Sequence, residues 1–83
     1  MIADAELVAA IADHPHWEPA GPATAVYAPP GSPLSVRVQR VRQPARVRES
    51  FVASVIRDGR ATSVVPFGTA EAAARWAERV RSG

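Results

Sequence analysis

Hydrophobic and polar positions change period twice in the last third of the chain. Two β-rich runs, residues 51–57 and 60–67, are separated by Asp58-Gly59. That dipeptide is among the strongest short hairpin signals, because both central residues of a type I′ turn need φ > 0. From residue 70 the period becomes helical. Ala73, Trp76, Ala77 and Val80 follow i, i+3, i+4, i+7, and Thr69 stands before them as an N-cap hydroxyl. A hairpin running directly into an amphipathic helix is therefore predicted, with Trp76, Phe67, Ile56 and Val52 in the core.

The earlier pattern is weaker. Asp4 can cap a first helix over about residues 5–13, with Leu7, Val8 and Ile11 on one side. His14-Pro15 stops it, since proline disfavours helical conformation in the residue before it. Residues 15–33 hold six of the chain's eight prolines and read as an ordered loop or semi-rigid linker, within which residues 24–28 could form a short edge strand. Leu34, Val36 and Val38 alternate with Ser35, Arg37 and Gln39, a strand pattern that breaks at Arg40-Val41-Arg42 in a bulge or strand end. After the turn at Gln43-Pro44 the next strand is expected to begin at Arg46 or Val47. The sum is one α+β domain over residues 1–83: an N-terminal helix, a three- to four-stranded antiparallel meander, and a C-terminal helix packed on one sheet face.

A two-residue loop at Asp58-Gly59 sets Arg57 across from Arg60, Val55 from Thr62 and Ala53 from Val64. Val52, Ser54 and Ile56 then share the other face with Val65, Ser63, Ala61 and Phe67. That second face is the better candidate for the helix-covered side, but both faces are partly apolar. A homodimer covering the remaining face, or pairing at an exposed edge strand (residues 34–38 or 24–28), is expected.

Composition removes several chemistries. Eighty-three residues hold one small core, and the chain has no cysteine for a disulfide, a thiolate metal site or a nucleophile. The Asp13-His14-Pro15-His16-Trp17-Glu18 stretch lacks metal-ligand spacing, the serines stand in no nucleophile elbow, and the five glycines form no phosphate loop. No catalytic residue, cofactor or metal is assigned, and an enzyme is not expected. With no membrane-length apolar run and no secretory leader pattern, a soluble cytoplasmic protein is the expectation.

Charge changes the picture most. Net charge is only +2, yet all ten cations are Arg and all lie after residue 36. Residues 1–33 carry Asp4, Glu6, Asp13 and Glu18 and no cation, giving −4; residues 34–83 carry ten Arg against Glu49, Asp58, Glu71 and Glu78, giving +6. Arginine without lysine accords with a GC-rich genome, but codon usage does not explain the asymmetry of position. Either an acidic partner meets a basic surface, or acidic and basic segments meet within or between chains. Arg37, Arg40, Arg42, Arg46 and Arg48 fall within twelve residues free of acids. On adjacent strands ~4.8 Å apart they would share one patch, and guanidinium forks suit phosphate.

Phe51, Ala53, Val55, Asp58-Gly59-Arg60, Phe67, Thr69, Glu71-Ala72 and Trp76 form a pattern that resembles the arm-type DNA-binding domain of tyrosine recombinases. The resemblance spans residues 51–76 and implies a sheet that enters the major groove, with Arg48, Ser50, Arg57, Arg60 and Thr62 as contact candidates. Glu71 comes one residue early for that pattern, a strand and helix precede the block, and no recombinase catalytic domain follows. The helix-strands-helix order is also similar to double-stranded RNA-binding domains, but the last helix begins Ala70-Glu71-Ala72 instead of with lysines. The reading is thus a non-enzymatic binding module that contacts nucleic acid through Arg37, Arg40, Arg42, Arg46, Arg48, Arg57 and Arg60 on an Arg-rich sheet surface. The rival is a protein-interaction or self-assembling accessory protein, of phage or mobile-element type, without nucleic-acid contact.

Overall fold

The computed structural model describes residues 2–80. Helix α1 (Ala5–Ile11) is followed by strands β1 (Trp17–Gly21), β2 (Thr24–Tyr27), β3 (Leu34–Arg40), β4 (Phe51–Arg57) and β5 (Arg60–Phe67), and then by helix α2 (Ala70–Val80). A 3-10 turn, Val47–Glu49, interrupts the β3–β4 connection. The five strands make one antiparallel sheet in chain order, a meander. The α+β class and the helix-covered sheet agree with the sequence reading.

Local signals explain the best-matched elements. Asp58 and Gly59 both take positive φ, 53° and 78°, which the tight turn requires. Asp4 Oδ1 accepts the Leu7 N–H at 3.1 Å to cap α1, and Thr69 Oγ1 accepts the Ala72 N–H at 3.1 Å to cap α2. Leu7 and Ala10 of α1 join Ala25, Tyr27, Val36, Val38, Phe51, Ala53 and Val55 of the sheet in the core. From α2 come Ala70, Ala73, Ala74 and Ala77, all fully buried. With methyl groups at its four fully buried positions, the α2 backbone sits close against the sheet, and the largest fully buried side chains outside α1 come from the strands.

Three expectations are corrected. The proline-rich residues 15–33 are not a linker: they fold as the β1–β2 hairpin, and residues 24–27 pair on both sides, leaving β1 as the edge. Pro19 is tolerated there because an edge strand has one row of backbone groups with no ladder partner. β1 is held by Trp17, whose ring lies 5.2 Å from that of Tyr27 and whose Nε1 donates to Glu78 of α2 at 2.8 Å. Likewise β3 is central, paired along its length with β4, so the expected edge at residues 34–38 does not exist. Finally, β4 begins at Phe51. Residues 46–50 instead form a turn in which Ser50 donates its N–H and its hydroxyl to the Val47 carbonyl.

The covered face is also the opposite of the one expected. Arg57 does face Arg60, but Ile56 pairs with Ala61 while Val55 pairs with Ser63, so Thr62 is an extra residue in β5. This β-bulge shifts the register by one and turns Val65 and Phe67 toward Phe51, Ala53 and Val55, under the helices. Val52, Ser54, Ile56 and Val64 are left on the uncovered face. Of the four residues assigned to the core, Phe67 and Trp76 pack partly buried against it, with ring centroids 5.6 Å apart, whereas Val52 and Ile56 lie half-buried on the open side.

Phe51, the largest fully buried side chain, therefore matters more than Trp76. Chemical denaturation of Phe51→Ala should show a loss of about 3–5 kcal/mol, enough to unfold most of so small a domain. Trp76→Ala should cost roughly half as much, in keeping with its partial burial. The reverse order would contradict the assigned core.

Candidate nucleic-acid interface

The ten arginines separate by what they touch. Arg40, at the end of β3, is half-exposed but tied to acidic groups of the same chain. Its Nε donates to Asp4 Oδ2, and its Nη2 lies 3.3 Å from Asp4 Oδ1 and 3.2 Å from Glu6 Oε1. The guanidinium carbon stands 4.5 Å from the centre of the Phe51 ring. Glu6 turns its other oxygen to the Ala70 N–H at 2.9 Å, so one carboxylate bridges Arg40 and the N-terminus of α2. The acidic N-terminal segment and the basic remainder thus meet within one chain here. Sequence spacing points to Asp4 as a cap, but nothing in it shows Glu6 crossing to Ala70.

Arg75 is committed in the same way. It donates to the Ala10 carbonyl at the end of α1, contacts the His14 ring, and places Nε 3.3 Å from Glu78 Oε1, an ion pair without the alignment of a hydrogen bond. Glu78 also lies 3.3 Å from His14 Nδ1. His14 thus joins an inter-helix network instead of only ending α1. Among the described residues, no group of three or more His, Asp or Glu is placed to hold a metal ion.

The remaining candidates are exposed, and they do not form one sheet patch. Arg37 projects from the open face of β3, where its cross-strand neighbours are Val26 and Ser54. Arg42, Arg46 and Arg48 are not on strands; they occupy the β3–β4 loop, whose base is closed by the Val41 N–H to the Ser50 carbonyl at 2.8 Å. Arg57 and Arg60 close the hairpin at the far end of β4, seven residues or ~23 Å from the loop. Among the described residues, none of these six arginines makes an ion pair. Ser50 and Thr62 spend their hydroxyls on the Val47 and Val55 carbonyls.

The loop is the densest of these groups. Val47, 83% exposed, stands between Arg46 and Arg48, and Glu49 is the one acid within residues 41–50. The Arg48 Cα is close enough to Gly68 that a Cβ there would meet it at 3.4 Å, which sets the loop beside the start of α2. A shallow cavity of about 300 Å³ near that helix end is lined by Glu6 and Glu71, charges that repel a polyanion. The chain matches no family model, no curated protein and no solved structure. Among the described residues, no helix is long and apolar enough to cross a membrane.

The hydrogen bond from Arg40 holds the Asp4 carboxyl below its ordinary 3.8, against the opposing effect of burial and with help from the Leu7 N–H. The folded form thus binds this proton less tightly than the unfolded chain does. Its contribution is full above the unfolded value of ~3.9 and disappears as pH falls through the lower folded value. Asp4→Asn retains a capping oxygen but not the charge. Urea titrations should find it less stable than wild type by about 0.5–1 kcal/mol at pH 7, allowing for water at the half-exposed guanidinium. The gap should narrow as pH falls below the ordinary carboxylate range, and a gap that does not change with pH would exclude the charge as its source.

Proposed function

We infer that the chain is a non-enzymatic nucleic-acid-binding module whose main contact is the β3–β4 loop. One observation carries this: Arg42, Arg46 and Arg48 crowd one exposed loop with no carboxylate paired to them, while Arg40 and Arg75 are spent within the fold. Three free guanidiniums so arranged can each take a phosphate with bidentate, charge-assisted bonds. Arg37, Arg57 and Arg60 are secondary contacts on the same basic half of the sequence. The weak resemblance of residues 51–76 to arm-type domains supports the same class of ligand.

The form of nucleic acid follows from the aromatic residues. Single-strand binders stack bases on exposed rings, each worth about 1–3 kcal/mol. Here Tyr27 and Phe51 are buried, and Trp17, Phe67 and Trp76 pack against the core. These five are all the Trp, Tyr and Phe in the chain. With no free platform for a base, the reading is backbone contact to a duplex, with little sequence preference because phosphates carry little sequence information.

Replacing Arg42, Arg46 and Arg48 together by Gln should weaken binding to any duplex of equal length. It should also flatten the plot of log K against log salt by about 0.9 for each phosphate that is no longer neutralised, about 2.7 for all three. Stability should change by no more than about 0.5 kcal/mol, since solvated charges contribute little. Arg40 is left intact because its replacement would open the clamp at Asp4 and Glu6. No duplex binding by the wild type near ~50 mM salt, where phosphate contacts are strong, would overturn the proposal.

A further inference from the structure

Val47 is the most exposed large hydrophobic among the described residues, at 83% against 60% for Val64 and 43% for Val8. Its surroundings invert the usual sorting. Glu49, two positions on, is half-buried, while the valine between Arg46 and Arg48 faces water. The 3-10 turn Val47–Glu49 permits this, since consecutive side chains on such a turn point about 120° apart.

The backbone under the valine is pinned. Its carbonyl accepts the Ser50 N–H at 3.1 Å and the Ser50 hydroxyl at 2.6 Å. The Arg46 carbonyl accepts the Glu49 N–H at 2.9 Å. Gly68 packs against the same segment, so that a Cβ there would stand 3.8 Å from the Val47 carbonyl oxygen. A lone exposed valine is ordinary. Val47 differs in sitting on a fixed turn between two guanidiniums, and a β-branched side chain on a fixed backbone has little freedom left to lose on contact.

We propose that Val47 contacts the 5-methyl group of thymine in the major groove of B-form DNA. The inference rests on the nucleic-acid reading of this loop and narrows it to one ligand. The loop leaves β3 and β4, neighbouring strands ~4.8 Å apart, and a two-stranded ribbon enters a groove about 12 Å wide but not a minor groove of about 6 Å. Arg46 and Arg48 then reach for phosphates while the valine between them meets base edges. In that groove the thymine methyl is the apolar group a base edge offers. The other edges present donors and acceptors, which valine would strip of water without replacing it. RNA supplies neither feature: uracil lacks the methyl, and the A-form major groove is too narrow for side chains to read.

The test uses two A·T duplexes of equal length and sequence, one with thymine and one with 2′-deoxyuridine, which differ only in that methyl. Fluorescence anisotropy at about 50 mM salt, where phosphate contacts are strong, should find the wild type binding the thymine duplex about fourfold more tightly, the worth of one buried methyl-sized group. Val47→Ser should bind both duplexes alike, with the melting temperature and the salt slope of the wild type, because the residue is exposed and uncharged. Equal wild-type binding to both duplexes with a steep salt dependence would overturn the thymine contact and leave the phosphate reading standing. A thymine preference that survives in Val47→Ser would overturn the assignment to this residue. Binding to neither duplex would overturn both the contact and the reading beneath it.

Discussion

One guanidinium gathers three chain segments that are far apart in sequence. Arg40 ends the central strand, Asp4 caps the first helix, and Glu6 reaches the first N–H of the second. Neither helix could hold its place by length. α1 has seven residues, too few to persist alone, and α2 touches the sheet mostly through methyl groups. Fixing both N-termini to the end of β3 sets where the helices start, and close packing of alanines against strand side chains does the rest. Phe51 lies under the same guanidinium, so the charged clamp and the centre of the core share a wall.

The clamp also sorts the charge. In the sequence the arginines look interchangeable, a basic half opposed to an acidic start. Folding withdraws Arg40 and Arg75 to satisfy Asp4, Glu6, Glu78 and the end of α1, and leaves the other candidates facing water. The exposed set is therefore more positive in effect than the net charge implies, and half of it, Arg42, Arg46 and Arg48, stands on one loop. A loop carries cations on a backbone free of ladder constraints, so guanidiniums can follow the curve of a phosphate chain.

What is legible in the sequence follows from how local each signal is. The β4–β5 hairpin and α2 are legible because Asp58-Gly59 and Thr69 act within a few residues of themselves. The α1 cap is legible for the same reason. β1 is not, because Glu18, Pro19 and Ala20 have no strand propensity, and the strand exists through pairing with β2 and the Trp17 bond to Glu78. The covered face is misread because one extra residue, Thr62, inverts the alternation beyond it. That choice is made by Phe51 and Phe67 meeting across the ladder, a tertiary event. The basic patch is misplaced for a related reason: alternation through Arg40-Val41-Arg42 cannot show where β3 stops.

The alanine seam under α2 has an evolutionary side. Ala70, Ala73, Ala74 and Ala77 have no spare room, and a single-base change in an alanine codon yields Val, Gly, Thr, Ser, Pro, Asp or Glu. Each of these is larger, more polar or worse for a helix, so random drift finds almost no neutral step along this face. Residues 42–48 of the arginine loop sit at exposed positions where substitution costs the fold little. Natural variation in this protein should therefore leave the seam fixed while the outward surfaces diverge, and lineages would retain the scaffold while exchanging what it touches.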